Sequence, residues 1–165
     1  MTKPLIIGFG NSLREDDGIG LRAAELVERC LAPDAADIVQ CSQLTPELAA
    51  QVEGASIVIF LDAAINREPG TVSVTPLHKA EPSAWSHHLS PAQLLCLTDN
   101  TSPAYWITCG TSQMGWREKL TAQGEEFAAR MAAAALSLLR EHALPEHTQH
   151  AAAPAMHTMD PDQHP

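Results

Sequence analysis

The most constraining stretch of the sequence is GFGNSLREDDGIG, which runs from Gly8 to Gly20. The apolar run ahead of it, Pro4 to Phe9, is typical of a buried strand. The residues that follow, Ile19 to Leu31, carry apolar side chains at helical spacing. A strand, a glycine-containing loop and a helix in this order predict the first unit of an open α/β sheet, in which ligands bind at such loops.

The charges of this loop indicate which kind of ligand it binds. Its two early glycines suggest a dinucleotide loop, whose backbone amides and helix N-terminus would bind a pyrophosphate. However, Leu13 stands in place of the third glycine, and an acidic run follows, formed by Glu15, Asp16 and Asp17. Carboxylates repel anions and ligate divalent cations, and a helix start tolerates their charge. We therefore expect a cation site, while a nucleotide-binding domain of flavodoxin or Rossmann type is the competing interpretation.

Composition narrows the class of protein further. The chain has 165 residues, of which 45% are hydrophobic, and this suffices for one domain with a sizeable core. The net charge of −10 and the lack of a basic block argue against nucleic acid as a partner. Met1 to Pro4 lead into the first strand without a cleavable apolar segment, and no apolar stretch would span a bilayer. We expect a cytoplasmic monomer without a membrane partner.

The order of patterns along the chain predicts the fold. Strands alternate with helices, which indicates an α/β three-layer sandwich with a mostly parallel, twisted five-stranded sheet and helices on both faces. The domain should cover residues 1–144, and the His-, Ala- and Pro-rich residues 145–165 should form a disordered tail. The four cysteines lack metal-site spacing and should be reduced core residues. The predicted strands are Pro4–Phe9, Asp37–Cys41, Ser56–Leu61, Thr71–Thr75 (near the sheet edge) and Tyr105–Cys109.

Asp62 is the second candidate site residue. It directly follows Ser56 to Leu61, a nearly unbroken apolar run typical of a central parallel strand. An acid at the C-terminal end of such a strand lies at the same edge of the sheet as the first loop, so Asp62 and Asp17 can converge. The simpler interpretation is that Asp62 closes the strand and caps a turn.

A histidine pair supplies the third candidate. His87 and His88 precede the tetrapeptide Ser90-Pro91-Ala92-Gln93, which predicts a helix with Ser90 as its N-cap. Adjacent histidines are often only polar loop residues; as neighbours in an extended loop they point in opposite directions, so only one can face a crevice. A later loop ends in Trp116, which can contribute to a docking rim or pack on the last helix.

Three sequence features together resemble one known family. They are the pattern Gly8-x-Gly10-Asn11-x-Leu13-x-x-Asp16-Asp17-Gly18-x-Gly20, the segment Phe60-Leu61-Asp62-Ala63 and the segment Ser86-His87-His88-Leu89. In this order they resemble the nickel-hydrogenase maturation endopeptidases, and the resemblance covers roughly residues 4–140.

The resemblance implies a function. Members of that family remove the C-terminal extension of a nickel-containing hydrogenase large-subunit precursor after nickel insertion. By resemblance, Asp17, Asp62 and His87 recognise the nickel and form the catalytic site, with Asp16 and His88 as alternates. Nickel would arrive within the precursor and would not be a permanent cofactor. We expect metal-assisted hydrolysis, because no Ser-His-Asp or Cys-His arrangement can be placed. The alternative is a non-catalytic nickel chaperone.

Overall fold

The computed structural model describes residues 2–79 and 88–143. Five strands form one sheet in the order β2-β1-β3-β5-β4. All neighbouring pairs are parallel except β4 with β5, which is antiparallel at the sheet edge. The predicted α/β sandwich with a mostly parallel sheet is confirmed. The strands are β1 (Pro4–Phe9), β2 (Asp37–Cys41), β3 (Ile57–Pro69), β4 (Val72–Leu77) and β5 (Ala104–Gly110), and the α-helices are α1 (Ile19–Cys30), α2 (Ala49–Glu53), α3 (Pro91–Cys96) and α4 (Ala122–Ala143).

Two hydrophobic clusters lie on opposite faces of the sheet. On one face, side chains such as Ile59 and Ile107 pack against α1 and α4. On the other face, side chains such as Phe60 pack with residues of α2 and α3. Because strand side chains alternate between faces, the buried strands are apolar at nearly every position. In residues 2–79 and 88–143, no helix is long and apolar enough to cross a membrane.

The structure corrects the predicted end of β3. Asp62 does not close this strand, which continues to Pro69. Past Asp62, β5 still pairs with this strand as far as Ala64, which lies opposite Gly110, and after an irregularity Pro69 pairs with the same glycine. The chain turns only at Gly70, whose φ of 82° favours glycine. Asp62 nevertheless marks the position at which full burial of β3 ends.

The prediction of core cysteines is right for Cys109 and wrong for Cys30. No disulfide joins any of the four cysteines, and Cys109 is buried, but Cys30 is exposed. Cys30 is the last residue of α1, and the buried residues of this helix end at Val27. The helical spacing that Cys30 shares with the apolar residues of α1 therefore does not lead to its burial.

Deleting residues 145–165 is expected to leave the melting temperature within about 2 °C of the full-length value. The deleted residues are poor in large apolar side chains, whereas α4 already buries Met131 and Leu138 in the main core. Thermal unfolding of the full and shortened chains would measure this. A loss of several degrees would mean that the tail packs against the domain.

Candidate functional site

The first loop is built around Gly10. This glycine has a φ of 149°, which L-residues rarely adopt. A Cβ atom at Gly10 would lie 2.1 Å from the carbonyl oxygen of Asp17. The second half of the loop therefore folds closely back over the first half. This glycine serves the packing of the loop, and the space that a phosphate would need is filled by backbone.

Asp17 is held at the C-terminal edge of the sheet by hydrogen bonds within this loop. Its backbone N–H donates to the carbonyl of Arg14 at 3.0 Å. The N–H of Asn11 donates to Oδ2 of Asp17 at 2.8 Å. Within residues 2–79 and 88–143, Oδ1 of Asp17 accepts no hydrogen bond, and the side chain is only half-buried. One carboxylate oxygen is thus oriented by the backbone while the other remains available.

Asp62 and Asp17 interact electrostatically, as the expected position of both at the C-terminal edge of the sheet suggested. The pKa of Asp62 is raised to about 7, first because burial penalises its charged form and second because the negative charge of Asp17 repels it. The backbone N–H of Ala63 opposes this by stabilising the carboxylate. These two predicted site residues therefore repel each other, and a cation near both carboxylates would be stabilised.

Asp16 has a different environment from its neighbour. It is 0% exposed. The backbone N–H of Thr121 donates to its Oδ1 at 2.9 Å, and the Thr121 hydroxyl donates to its Oδ2 at 2.8 Å. The hydroxyl of Thr111 also donates to Oδ2, at 3.3 Å. These contacts join the first loop to both ends of the β5–α4 loop, residues 111–121. Because the carboxylate of Asp16 already accepts these hydrogen bonds within the protein, Asp16 is a poor candidate for a metal ligand.

Further contacts hold the first loop against the β5–α4 loop. The carboxylate of Glu15 accepts a hydrogen bond from the N–H of Gly115 at 2.9 Å and forms an ion pair with Arg117 at 3.5 Å. The guanidinium of Arg14 lies 5.2 Å from the ring centroid of Trp116. Trp116 is 77% exposed, so the alternative that it packs on the last helix is not what the structure has. The two loops form one unit that supports Asp17.

The histidine pair is divided by the limits of the described residues. His87 lies outside them, whereas His88 begins the second described segment and is exposed. The N-cap prediction for Ser90 is confirmed: its hydroxyl accepts from the N–H of Gln93, and the Gln93 side chain accepts from the N–H of Ser90. This capping box fixes the direction in which the chain leaves the histidines. Within residues 2–79 and 88–143, no group of three His, Cys, Asp or Glu side chains is arranged to hold a metal.

Comparison with known proteins finds named hydrogenase maturation proteases among the similar chains. The hydrogenase 2 maturation protease of Escherichia coli strain K12 is 30% identical over 93 residues, which are 54% of this chain and 56% of that protein. The chain thus spans about half the length of this curated relative. The hydrogenase maturating endopeptidase HybD from E. coli superimposes with a TM-score of 0.70 at 22% identity, over 85% of this chain and 93% of that one. These matches confirm the resemblance to the hydrogenase maturation proteases.

A second structure extends the likeness to an archaeal protein. The [NiFe] hydrogenase maturation protease HycI from Thermococcus kodakarensis has a TM-score of 0.67 at 23% identity, over 84% of this chain and 93% of that one. At these identities the superpositions establish a shared fold. No protein-family model matches the chain. The likeness to the hydrogenase maturation proteases therefore rests on the fold of the whole domain and on a sequence match over about half of it.

Sequence reasoning did not identify every polar residue at this edge of the sheet. It missed Thr111 and Thr121, because their role depends on a contact between loops about 100 residues apart in the chain. It also missed Thr108, which pairs with Asp62 in the sheet and is buried. A usable signal exists for Thr108: it is a hydroxyl residue between Ile107 and Cys109 in a strand that is otherwise apolar at its buried positions.

Proposed function

We propose that the chain is an endopeptidase that removes the C-terminal extension of a nickel-containing hydrogenase large-subunit precursor after nickel insertion. Asp17, Asp62 and His87 recognise the nickel that the precursor carries, and the protein acts as a cytoplasmic monomer. His88 is the alternate to His87. Asp16 remains the formal alternate to Asp17, although its buried hydrogen bonds speak against it.

The observation that carries the proposal is the pair of carboxylates in the crevice. Asp17 and Asp62 come from different elements, and the pKa of Asp62 is raised first by burial and second by the negative charge of Asp17. Two carboxylates that repel each other in a partly buried place are stabilised by a divalent cation. The similarity to named hydrogenase maturation proteases supplies the identity of the substrate that carries the metal.

The donor set suits nickel bound to a substrate. Carboxylate oxygens and an imidazole are hard and borderline donors, and three of them leave coordination positions for the precursor's own ligands. Nickel in this position would polarise the scissile carbonyl or a water molecule. The role of this chain is to hold the two carboxylates in place: the hydrogen bond from Asn11 orients Asp17, and the register of β3 on β5 positions Asp62.

The proposal is tested by incubating the purified protein with nickel-loaded large-subunit precursors and with the same precursors lacking nickel. Mass spectrometry should show loss of a C-terminal peptide from a nickel-loaded precursor, and no change without nickel. The alternative, a non-catalytic nickel chaperone, predicts that the mass of the precursor stays unchanged while its nickel content changes. Unchanged mass and unchanged nickel content would exclude both functions.

Substitution of the histidines tests the third ligand. We expect His87→Ala to slow cleavage of the nickel-loaded precursor by about 10-fold or more, because a metal site with three protein ligands loses one of them. The matched variant His88→Ala should reduce the rate only modestly. Single-turnover cleavage, followed by mass spectrometry, measures both. A reversed pattern would assign the ligand to His88, and full activity of the double variant would remove the imidazole from the mechanism.

A further inference from the structure

A cleft of about 720 Å³ opens beside Asp62 on the face of the sheet that carries α2 and α3. Its walls come from β3, β4 and β5. The lining residues that matter here are Asp62, Thr75, Trp106 and Thr108. Pairing in the sheet places them on one face, because Asp62 is opposite Thr108 and Thr75 is opposite Trp106. The cleft therefore includes Asp62, one of the two candidate carboxylates.

Two polar atoms in this cleft are buried without a hydrogen-bond partner. They are Nε1 of Trp106 and Oγ1 of Thr108, and no other buried side-chain nitrogen or oxygen in residues 2–79 and 88–143 shares this condition. Thr108 is only 7% exposed. Buried polar groups are almost always paired, because an unpaired one loses its hydration without compensation. Two such atoms on residues that line one cleft indicate a ligand that pairs with them.

The chemistry of the two atoms restricts that ligand. An indole N–H only donates, so the atom that pairs with Trp106 must be an acceptor. The neighbouring carboxylate of Asp62 disfavours an anionic acceptor and leaves a neutral carbonyl oxygen as the suitable group. The cation that lines the cleft, Arg67, is exposed and already donates to Oγ of Ser73 at 2.6 Å. It therefore does not convert the cleft into an anion site.

The positions of Trp106 and Thr108 along β5 fit the repeat of a peptide backbone. Trp106 and Thr108 are two residues apart on one strand, which separates their positions by about 7 Å. In an extended peptide, carbonyl groups on the same side recur every second residue, at this same interval of about 7 Å. An extended segment that runs along β5 can therefore offer one carbonyl oxygen to each donor.

We propose that this cleft binds an extended backbone segment of the peptide substrate, with one carbonyl oxygen accepting from Nε1 of Trp106 and the next carbonyl on the same side accepting from Oγ1 of Thr108. The inference rests on the proposed function, because it assumes a peptide substrate that reaches Asp62. It adds the subsite that aligns this substrate beside the two carboxylates.

Two variants remove the donors and leave the shape nearly intact. Thr108→Val and Trp106→Phe should each raise KM for the nickel-loaded precursor about 5- to 10-fold, and should change kcat less than about 2-fold, since each loses one hydrogen bond to bound substrate. Tyr105→Phe is the matched control, because Tyr105 lies on the opposite face of the sheet, where its hydroxyl contacts His142, and it does not line the cleft. Its KM should stay unchanged. Unchanged KM in both cleft variants would overturn the proposal.

Stability distinguishes a substrate-binding role from a structural one. Valine has nearly the shape of threonine, and Oγ1 of Thr108 has no partner to lose in the free protein. Thr108→Val should therefore leave the melting temperature unchanged or raise it. A clear decrease of the melting temperature with an unchanged KM would show that the hydroxyl serves the fold and would refute the subsite.

A binding measurement separates failure of the subsite from failure of the proposed function. The chain has three tryptophans, so ¹⁵N labelling gives three indole N–H signals, and Trp106→Phe identifies the relevant one. Titration with intact nickel-loaded precursors should shift that signal. A shift without cleavage would support the cleft and refute the peptidase. Cleavage without a shift would refute the cleft alone, and neither a shift nor cleavage would refute both.

Discussion

Replacing Asp62 with asparagine is expected to raise stability above pH 7 while it abolishes precursor cleavage. The folded protein holds the pKa of Asp62 at about 7, whereas an aspartate in an unfolded chain titrates near pH 4. Between these values the folded state binds more protons than the unfolded state, so stability falls as pH rises from about 4 to 7 and stays low above it. Asparagine keeps the uncharged form at every pH and avoids this loss.

The expected gain is at most about 4 kcal/mol of unfolding free energy at pH 8, and near zero at pH 4. Urea unfolding of both proteins at the two pH values measures it. Asp99→Asn is the control, because Asp99 is exposed and lies ahead of β5 at the opposite edge of the sheet. Its substitution should not give the gain at pH 8 that is expected for Asp62→Asn. If Asp62→Asn were less stable than the parent protein at pH 8, the carboxylate of Asp62 would have a favourable partner in the folded protein.

The same substitution, Asp62→Asn, should lower the rate of precursor cleavage although it raises stability. The proposed nickel contact needs the charge of Asp62, so Asp62→Asn should lower the rate of precursor processing by about 100-fold. A protein that is more stable and inactive is the pattern of a residue retained for function at the expense of stability. Processing at the parent rate would remove Asp62 from the proposed site.

The second large effect concerns the neighbours Asp16 and Asp17. We expect Asp16→Asn to lower the unfolding free energy by about 2 to 4 kcal/mol, because an amide cannot accept all the hydrogen bonds that the buried carboxylate receives from Thr111 and Thr121. For a domain of this size, the melting temperature should fall by about 5 to 15 °C. The matched substitution Asp17→Asn should change stability by less than about 1 kcal/mol, because Asp17 is half-buried and accepts one hydrogen bond from the described residues.

The effects of the two substitutions on precursor cleavage should be the reverse of their effects on stability. Asp17→Asn should abolish cleavage of the nickel-loaded precursor in a protein with a near-parental melting temperature. Asp16→Asn, assayed at a temperature at which it is folded, should retain activity. Thr121→Val tests the partner of Asp16 and should destabilise the protein without a specific loss of activity. An inactive Asp16→Asn variant with parental stability, beside a normal Asp17→Asn variant, would shift the site by one residue along the acidic run.

Several features were predictable because they depend on neighbours in the chain. The periods of apolar residues predicted the strands and the main helices, and Ser90-Pro91-Ala92-Gln93 predicted the start of α3, since a capping box forms within four residues. Strand order at the centre of the sheet placed Asp17 and Asp62 at one edge, because parallel strands end there together.

Other features depended on contacts between distant parts of the chain. The sequence offers no local reason for β3 to continue past Asp62, where the strand still pairs with β5 as far as Ala64. The contrast between Asp16 and Asp17 is of the same kind: two adjacent acids of similar chemistry differ because one meets Thr121, more than 100 residues later, while the other faces the crevice.

The sequence by itself determined the fold class, the strand-loop-helix unit at the N-terminus and the acidic character of its loop, since periodicity and charge are local properties. Only the tertiary structure decided which acid of that loop is buried and which is available, and that Trp106 and Thr108 line a cleft beside Asp62. The physical reason is that burial and hydrogen-bond pairing are properties of the packed chain, and for these residues the partners come from other strands and loops.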